Sequence, residues 1–205
     1  MKDRMLIVLI LATVGCQPTV KGPAFPMLAG GALGEVVVLW SSPAKTTEVC
    51  SSTPAAGVVK TAVASGNEAT EASSKIGAGL SGWLTASGSA SSIESVSVEL
   101  ASGNLETAAL ENILVPYDKQ ADSCKNAIKS QQAANAKYFN IVTKAYRGDV
   151  KIHTVFKQGV DLEAKTKVTE KLSGEFAGNA SRSEDGTVTV TGGFWIIETE
   201  PYAVQ

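Results

Sequence analysis

Few side chains in this chain of 205 residues are of types that do chemistry. It has one histidine, His153, and three cysteines, Cys16, Cys50 and Cys124. A nucleophile activated by an imidazole would have to use His153, and no G-x-S-x-G elbow accompanies it. His153 falls on the polar parity of "GDVKIHTVF", which reads as a solvated strand position. The cysteines are too far apart in sequence for a zinc motif, so no metal or cofactor is expected. Two carboxylates need no motif to act as acid and base. Yet Asp149, Asp161, Glu163, Glu170 and Glu175 are mixed with lysines in the manner of solvated faces. "LAGGALGE" precedes an apolar strand-like run, whereas a phosphate loop follows a strand and opens a helix. Asn179-Ala180-Ser181 matches a glycosylation sequon and reads as chance. The expectation is a protein that is not an enzyme.

The cysteine chemistry begins at the leader. "MKDR" is net positive, "MLIVLILATV" is apolar, and Gly15-Cys16 closes the run. This is the three-part plan of a secretory signal, with an apolar stretch too short to span a bilayer, which takes about 20 residues. Thr13-Val14-Gly15-Cys16 resembles the lipobox of bacterial lipoprotein precursors. That resemblance implies cleavage after residue 15, a lipid on Cys16, and contact with a membrane by anchoring. Ordinary signal cleavage after Gly15 is the alternative, and would release a secreted chain. With Cys16 lipidated, Cys50 and Cys124 remain as an even pair in an oxidising compartment. One disulfide between them is then expected, with two separate buried thiols as the other possibility.

Composition bounds the rest. The chain is 44% hydrophobic and 19% charged, with net charge −2. No cationic excess is present to hold phosphates, so nucleic acid is not an expected partner. Length suits one domain at residues 35–205, preceded by a signal at 1–15 and a proline- and glycine-rich tether at 16–34.

"EVVVLW" is a strand by composition, followed by loop through Cys50. From about residue 70 to 101, Ile76, Ala78, Leu80 and Leu84 share one parity opposite Glu71, Ser73, Lys75 and Ser81. Across "TASGSASS", Val96, Val98 and Leu100 alternate with Ser95, Ser97 and Glu99. The stretch reads as one long hairpin. Tyr117, Ala121, Cys124, Ile128 and Ala134 mark the main amphipathic helix, near residues 117–136. "KYFNIVTKAY", "GDVKIHTVF", "TVTVT" and "FWIIE" are strands, with a turn at "SRSEDGT". Val160, Ala164, Val168, Leu172 and Phe176 are spaced by four, which both periods allow. Charge at every odd position from Asp161 to Lys167 favours a strand, and a helix is the alternative. The fold class is therefore α+β: a mostly antiparallel meander with long hairpins and one main helix.

Two functions fit. The first is an exported, lipid-anchored, non-enzymatic binding or structural module of the cell envelope, at the outer membrane or in the periplasm. Its partners would be the membrane through the lipid, or another envelope protein. The second is a membrane-inserting pore former, because 70–101 and 149–178 alternate as lipid-facing strands do. The order hairpin, helix, strand, second amphipathic stretch resembles that of gasdermin pore-forming domains, and implies β-hairpin insertion.

Overall fold

The β-branched and aromatic run from Phe139 builds the longest strand of the molecule. The computed structural model describes residues 26–27, 32–41, 44–51, 57–62, 67–176 and 180–204. Among these, eight strands form one antiparallel sheet, so the fold is α+β as the sequence indicates. Strand β6 (Phe139–Phe156) lies at its centre. One edge of β6 pairs first with β2 (Glu35–Ser41), through Val36–Val38 against Phe139–Ile141. The rest of that edge pairs with β5 (Ile93–Thr107). The other edge pairs with β8 (Val188–Pro201). Short strands finish the sheet: β1 (Pro26–Met27) and β7 (Ala180–Arg182) on β8, β3 (Ala44–Ser51) on β2, and β4 (Val59–Ala62) on β5.

Several expectations are corrected. The first arm of the anticipated hairpin, from residue 70, is a helix, α1 (Asn67–Ala86). Ala72, Ile76, Leu80 and Leu84 are spaced by four, a spacing that closes one helical face as well as one strand face, and all four are buried. The ambiguous stretch after residue 160 is likewise a helix, α4 (Leu162–Glu175). Asp161 caps it by accepting the Ala164 N–H at 2.7 Å, while Val168 and Leu172 face the core, as does Phe176 just beyond it. The main helix anticipated at 117–136 is shorter. A 3-10 turn at Tyr117–Lys119 precedes α3 (Asp122–Ala133), and a single turn, α2 (Leu110–Ile113), lies before both. The segment around Cys50, read as loop, is β3. Part of the anticipated tether belongs to the domain: β1 pairs with β8, and Leu33 is buried. The pairs of strands read on either side of Gly148 and of Gly192-Gly193 are single strands that pass through those glycines.

The sheet has two halves. At its base, around Phe139–Ala145 of β6, both faces are covered. Val36, Ile141 and Phe139 pack with Cys124 and Ile128 of α3 on one side. Val37, Val142 and Ala145 pack with Leu33, Phe194 and Ile196 on the other. The distal half, from about Val150 of β6 onward, has one covered face. There α1 and α4 lie over Val150, Ile152, Val188 and Val190. The opposite face carries Ser97, Glu99, Lys151, His153 and Thr189.

Candidate functional site

The chemistry-bearing residues do not converge. Cys50 of β3 and Cys124 of α3 are joined as a disulfide, with Cα atoms 5.2 Å apart. Cys16 lies outside the described residues, as does Asn179. His153 lies on the open polar face, its Nδ1 3.2 Å from the Thr187 hydroxyl and its Nε2 3.7 Å from Glu99. Glu163 pairs with Lys167 along α4, at 2.6 Å. Asp149 is occupied structurally: its carboxylate accepts the Gly192 N–H at 2.8 Å and the Ser102 hydroxyl at 2.9 Å. Glu170 and Glu175 sit exposed on α4. No cluster of three metal-ligating groups occurs among the described residues.

What does converge is a set of segments whose sequences suit both a helix and a strand. β5 and β6 are 15 and 18 residues long, where a membrane-spanning strand needs about 9–11. Beside each lies a helix whose sequence also alternates with period two. In α1 the even positions 72, 76, 78, 80 and 84 are apolar. In the stretch 160–176 they are Val160, Leu162, Ala164, Val168, Leu172 and Phe176, interrupted by Thr166, Glu170 and Gly174, against charge or polarity at every odd position. The helix buries only part of each apolar set. Ala78 is exposed on α1, and Leu162 is 79% exposed on α4. Neither exposure serves packing, yet both residues fall on the apolar parity of a strand.

The sheet also offers these segments an edge. β4 pairs with β5 only from Asn104 to Thr107, so Ile93–Gly103 have no strand on that edge among the described residues. A groove of about 470 Å³ lies there between β5 and α1, lined by Ser73, Gly77, Ser81 and Glu94–Val98. Gly77 lies against β5: a Cβ there would make ordinary contacts, 3.5 Å from the Val96 carbonyl and 3.7 Å from the Val98 side chain. On the far edge of β6, pairing with β8 stops at Ile152.

Local electrostatics hold α1 down. Lys75 lies 2.8 Å from Glu71 on its own helix and 2.7 Å from Glu198 of β8. Lys144 of β6 stands 3.9 Å from Glu198 and 4.0 Å from Glu71. Burial pulls the Lys75 ammonium downward, but the two carboxylates outweigh it and hold its pKa above the usual value. Lys171 of α4 donates to the Ser87 carbonyl at 2.6 Å, fixing the turn that follows α1. Sequence reasoning missed this node, because Glu198 and Lys144 are remote in sequence from α1. It also missed Glu35, 2% exposed at the head of β2, with Oε2 unpartnered. Burial pushes its carboxyl up to about 7, opposed by the Ala32 backbone and reinforced by Glu48. An acid heading the apolar "EVVVLW" was the available signal.

No family model matches the chain, and no curated protein does. Among solved structures it is similar to that of a bacterial gasdermin from Bradyrhizobium tropiciagri, at 14% identity and a TM-score of 0.29, over 88% of this chain and 77% of that one.

Proposed function

We propose that this is an exported protein, held at a membrane through Cys16, that permeabilises a bilayer by refolding α1 and α4 into strands beside β5 and β6. The observation that carries the reading is the double periodicity of the two helices, with Ala78 and Leu162 exposed in the helical form but aligned with the apolar face of a strand. Refolding moves Ile76, Leu80, Leu84, Val168 and Leu172 from the protein core into hydrocarbon, so their burial is exchanged and not lost. It adds burial for Ala78 and Leu162. The strands gain backbone partners on the open edge of β5 and, beyond Ile152, of β6, as a bilayer requires of every N–H and C=O. Purified protein added to dye-loaded vesicles is expected to release the dye. Vesicles that stay intact with protein bound to them would overturn the reading.

A second reading, an anchored non-enzymatic module that binds another envelope protein, draws support from the Cys50–Cys124 link. A disulfide suits an oxidising compartment whatever the chain does there. Intact mass of the native protein tests the part common to both. The expected mass begins at Cys16, carries an added lipid and is two hydrogens short of the dithiol. A mass that retains Met1 contradicts export.

A further inference from the structure

Three glycines stand side by side across the sheet: Gly103 of β5 opposite Gly148 of β6, and Gly148 opposite Gly193 of β8. The β5 and β6 backbones approach there more closely than side chains allow. A Cβ on Gly103 would sit 2.7 Å from the Gly148 Cα, and one on Gly148 would collide with the Ser102 carbonyl. A Cβ on Gly193 would collide with the Trp195 indole. The register slips at the same level, between Leu100 and Ser102 on β5 and between Gly148 and Val150 on β6. Paired slips of this kind bend strands and break the ladder locally.

The line is spanned by side chains. The buried Tyr146 hydroxyl directs its one proton between the Ser102 carbonyl at 2.7 Å and the Asp149 carbonyl at 3.1 Å. The Asp149 carboxylate joins Ser102 of β5 to Gly192 of β8. Helix α1 crosses the same line lengthwise. Its Lys75 is tied at the base to Glu198, which Lys144 also approaches, while Gly77 already rests against Val96 and Val98 beyond the line.

We propose that this glycine row is a hinge. Ile93–Ala101, Val150–Phe156 and Val188–Val190 move about it as one flap relative to the base. Tyr146 is the pin that holds the bend, and α1 is the strap that keeps the flap closed, buckled at Lys75. The base is packed on both faces and joined to α3 through Cys50–Cys124, so it stays fixed. The flap's outer face is solvated and its inner face is held by α1 and α4 alone. The hinge stands on the geometry; its use in opening the flap to a bilayer rests on the permeabilising function proposed above.

Hydrogen–deuterium exchange on the full chain tests it without a membrane. Tyr146→Phe keeps the ring and removes the hydroxyl. Amides of Val96–Leu100, Val150–Ile152 and Val188–Val190 are then expected to exchange about tenfold faster, with Val36–Val38, Ile141–Val142 and Phe194–Ile197 unchanged. Lys75→Met, on the partly exposed side of α1, is expected to speed the same flap amides and those of α1, and it keeps the test available if the tyrosine variant does not fold. Acceleration spread evenly over flap and base, or absent from the flap in both variants, overturns the hinge. On dye-loaded vesicles both variants are expected to leak faster than the parent. Flap-selective exchange with vesicles left intact by parent and variants alike would keep the hinge and remove the permeabilising function. Leakage with uniform exchange would do the reverse.

Discussion

Ala78 and Ser81 separate the helix α1 from the membrane strand proposed for it. Both are exposed on the helix, so a lysine at either is a surface change there. Ala78→Lys gives up a few tenths of a kcal/mol of helix propensity, and surface substitutions in general stay within about 0.5 kcal/mol. In a strand the two positions have opposite parity. Residue 78 shares the lipid-facing side with Ile76, Leu80 and Leu84, whereas residue 81 shares the watery side with Lys75. A lysine facing lipid near the bilayer midplane costs about 2–4 kcal/mol, or roughly 30- to 1000-fold in the inserted population, and one facing the lumen costs little. Ala78→Lys is therefore expected to melt within a few degrees of the parent and to suppress dye release at least 30-fold from vesicles of neutral lipid. Ser81→Lys is expected to match the parent in both assays. Equal leakage from the two variants refutes the assignment of 70–84 as a membrane strand. A large loss of stability in Ala78→Lys refutes the helical placement of residue 78.

Other expectations follow from the core and its charges. Glu35 has a folded carboxyl near 7, so the folded state holds its proton where the unfolded chain has released it. That stabilisation is complete below about pH 4.5 and is lost as pH rises through about 7, up to about 3 kcal/mol. Glu35→Gln is expected to flatten this part of the profile and to raise the denaturant midpoint at pH 8; an unchanged profile contradicts the burial of that carboxylate. The Cys50–Cys124 bridge closes a separation of 74 residues. Replacing both with alanine is expected to cost about 4 kcal/mol by chemical unfolding, and a loss under 1 kcal/mol would mean that the two sites are not linked in the native chain. Leu80→Ala, at a fully buried position of α1, is expected to cost about 2–5 kcal/mol and to speed dye release, because it weakens the helix against the sheet. Slower release would contradict α1 as the segment that must leave.

The strands were legible where β-branched or aromatic residues run together, as in "EVVVLW", "KYFNIVTKAY" and "FWIIE", and where Asp185-Gly186 turns the chain. The helices α1 and α4 were not, for a reason that the proposed function uses. Apolar residues spaced by four satisfy the helical and the strand period at once. Gly77, Gly79 and Gly82 lower helix propensity further, so packing against the sheet decides the outcome. Glycines misled a second time at Gly148 and Gly192-Gly193, which suggest strand ends and instead sit inside β6 and β8 where the sheet bends. β3 was missed because "AKTTEVCS" has little apolar alternation and takes its place by pairing with β2. The Lys75–Glu198 node and the Tyr146 pin join residues more than 40 positions apart, which spacing along a chain does not reveal.

The refolding of α1 is tested most directly by spin labels placed one at a time from residue 70 to 84 and read for accessibility to oxygen and to a water-soluble relaxant, in buffer and on vesicles. The expected result is a period of 3.6 in buffer that becomes a period of two on vesicles, with 76, 78, 80 and 84 in lipid and 75 and 81 in water. A helical period that persists on leaking vesicles, or labels that never meet lipid, would contradict it.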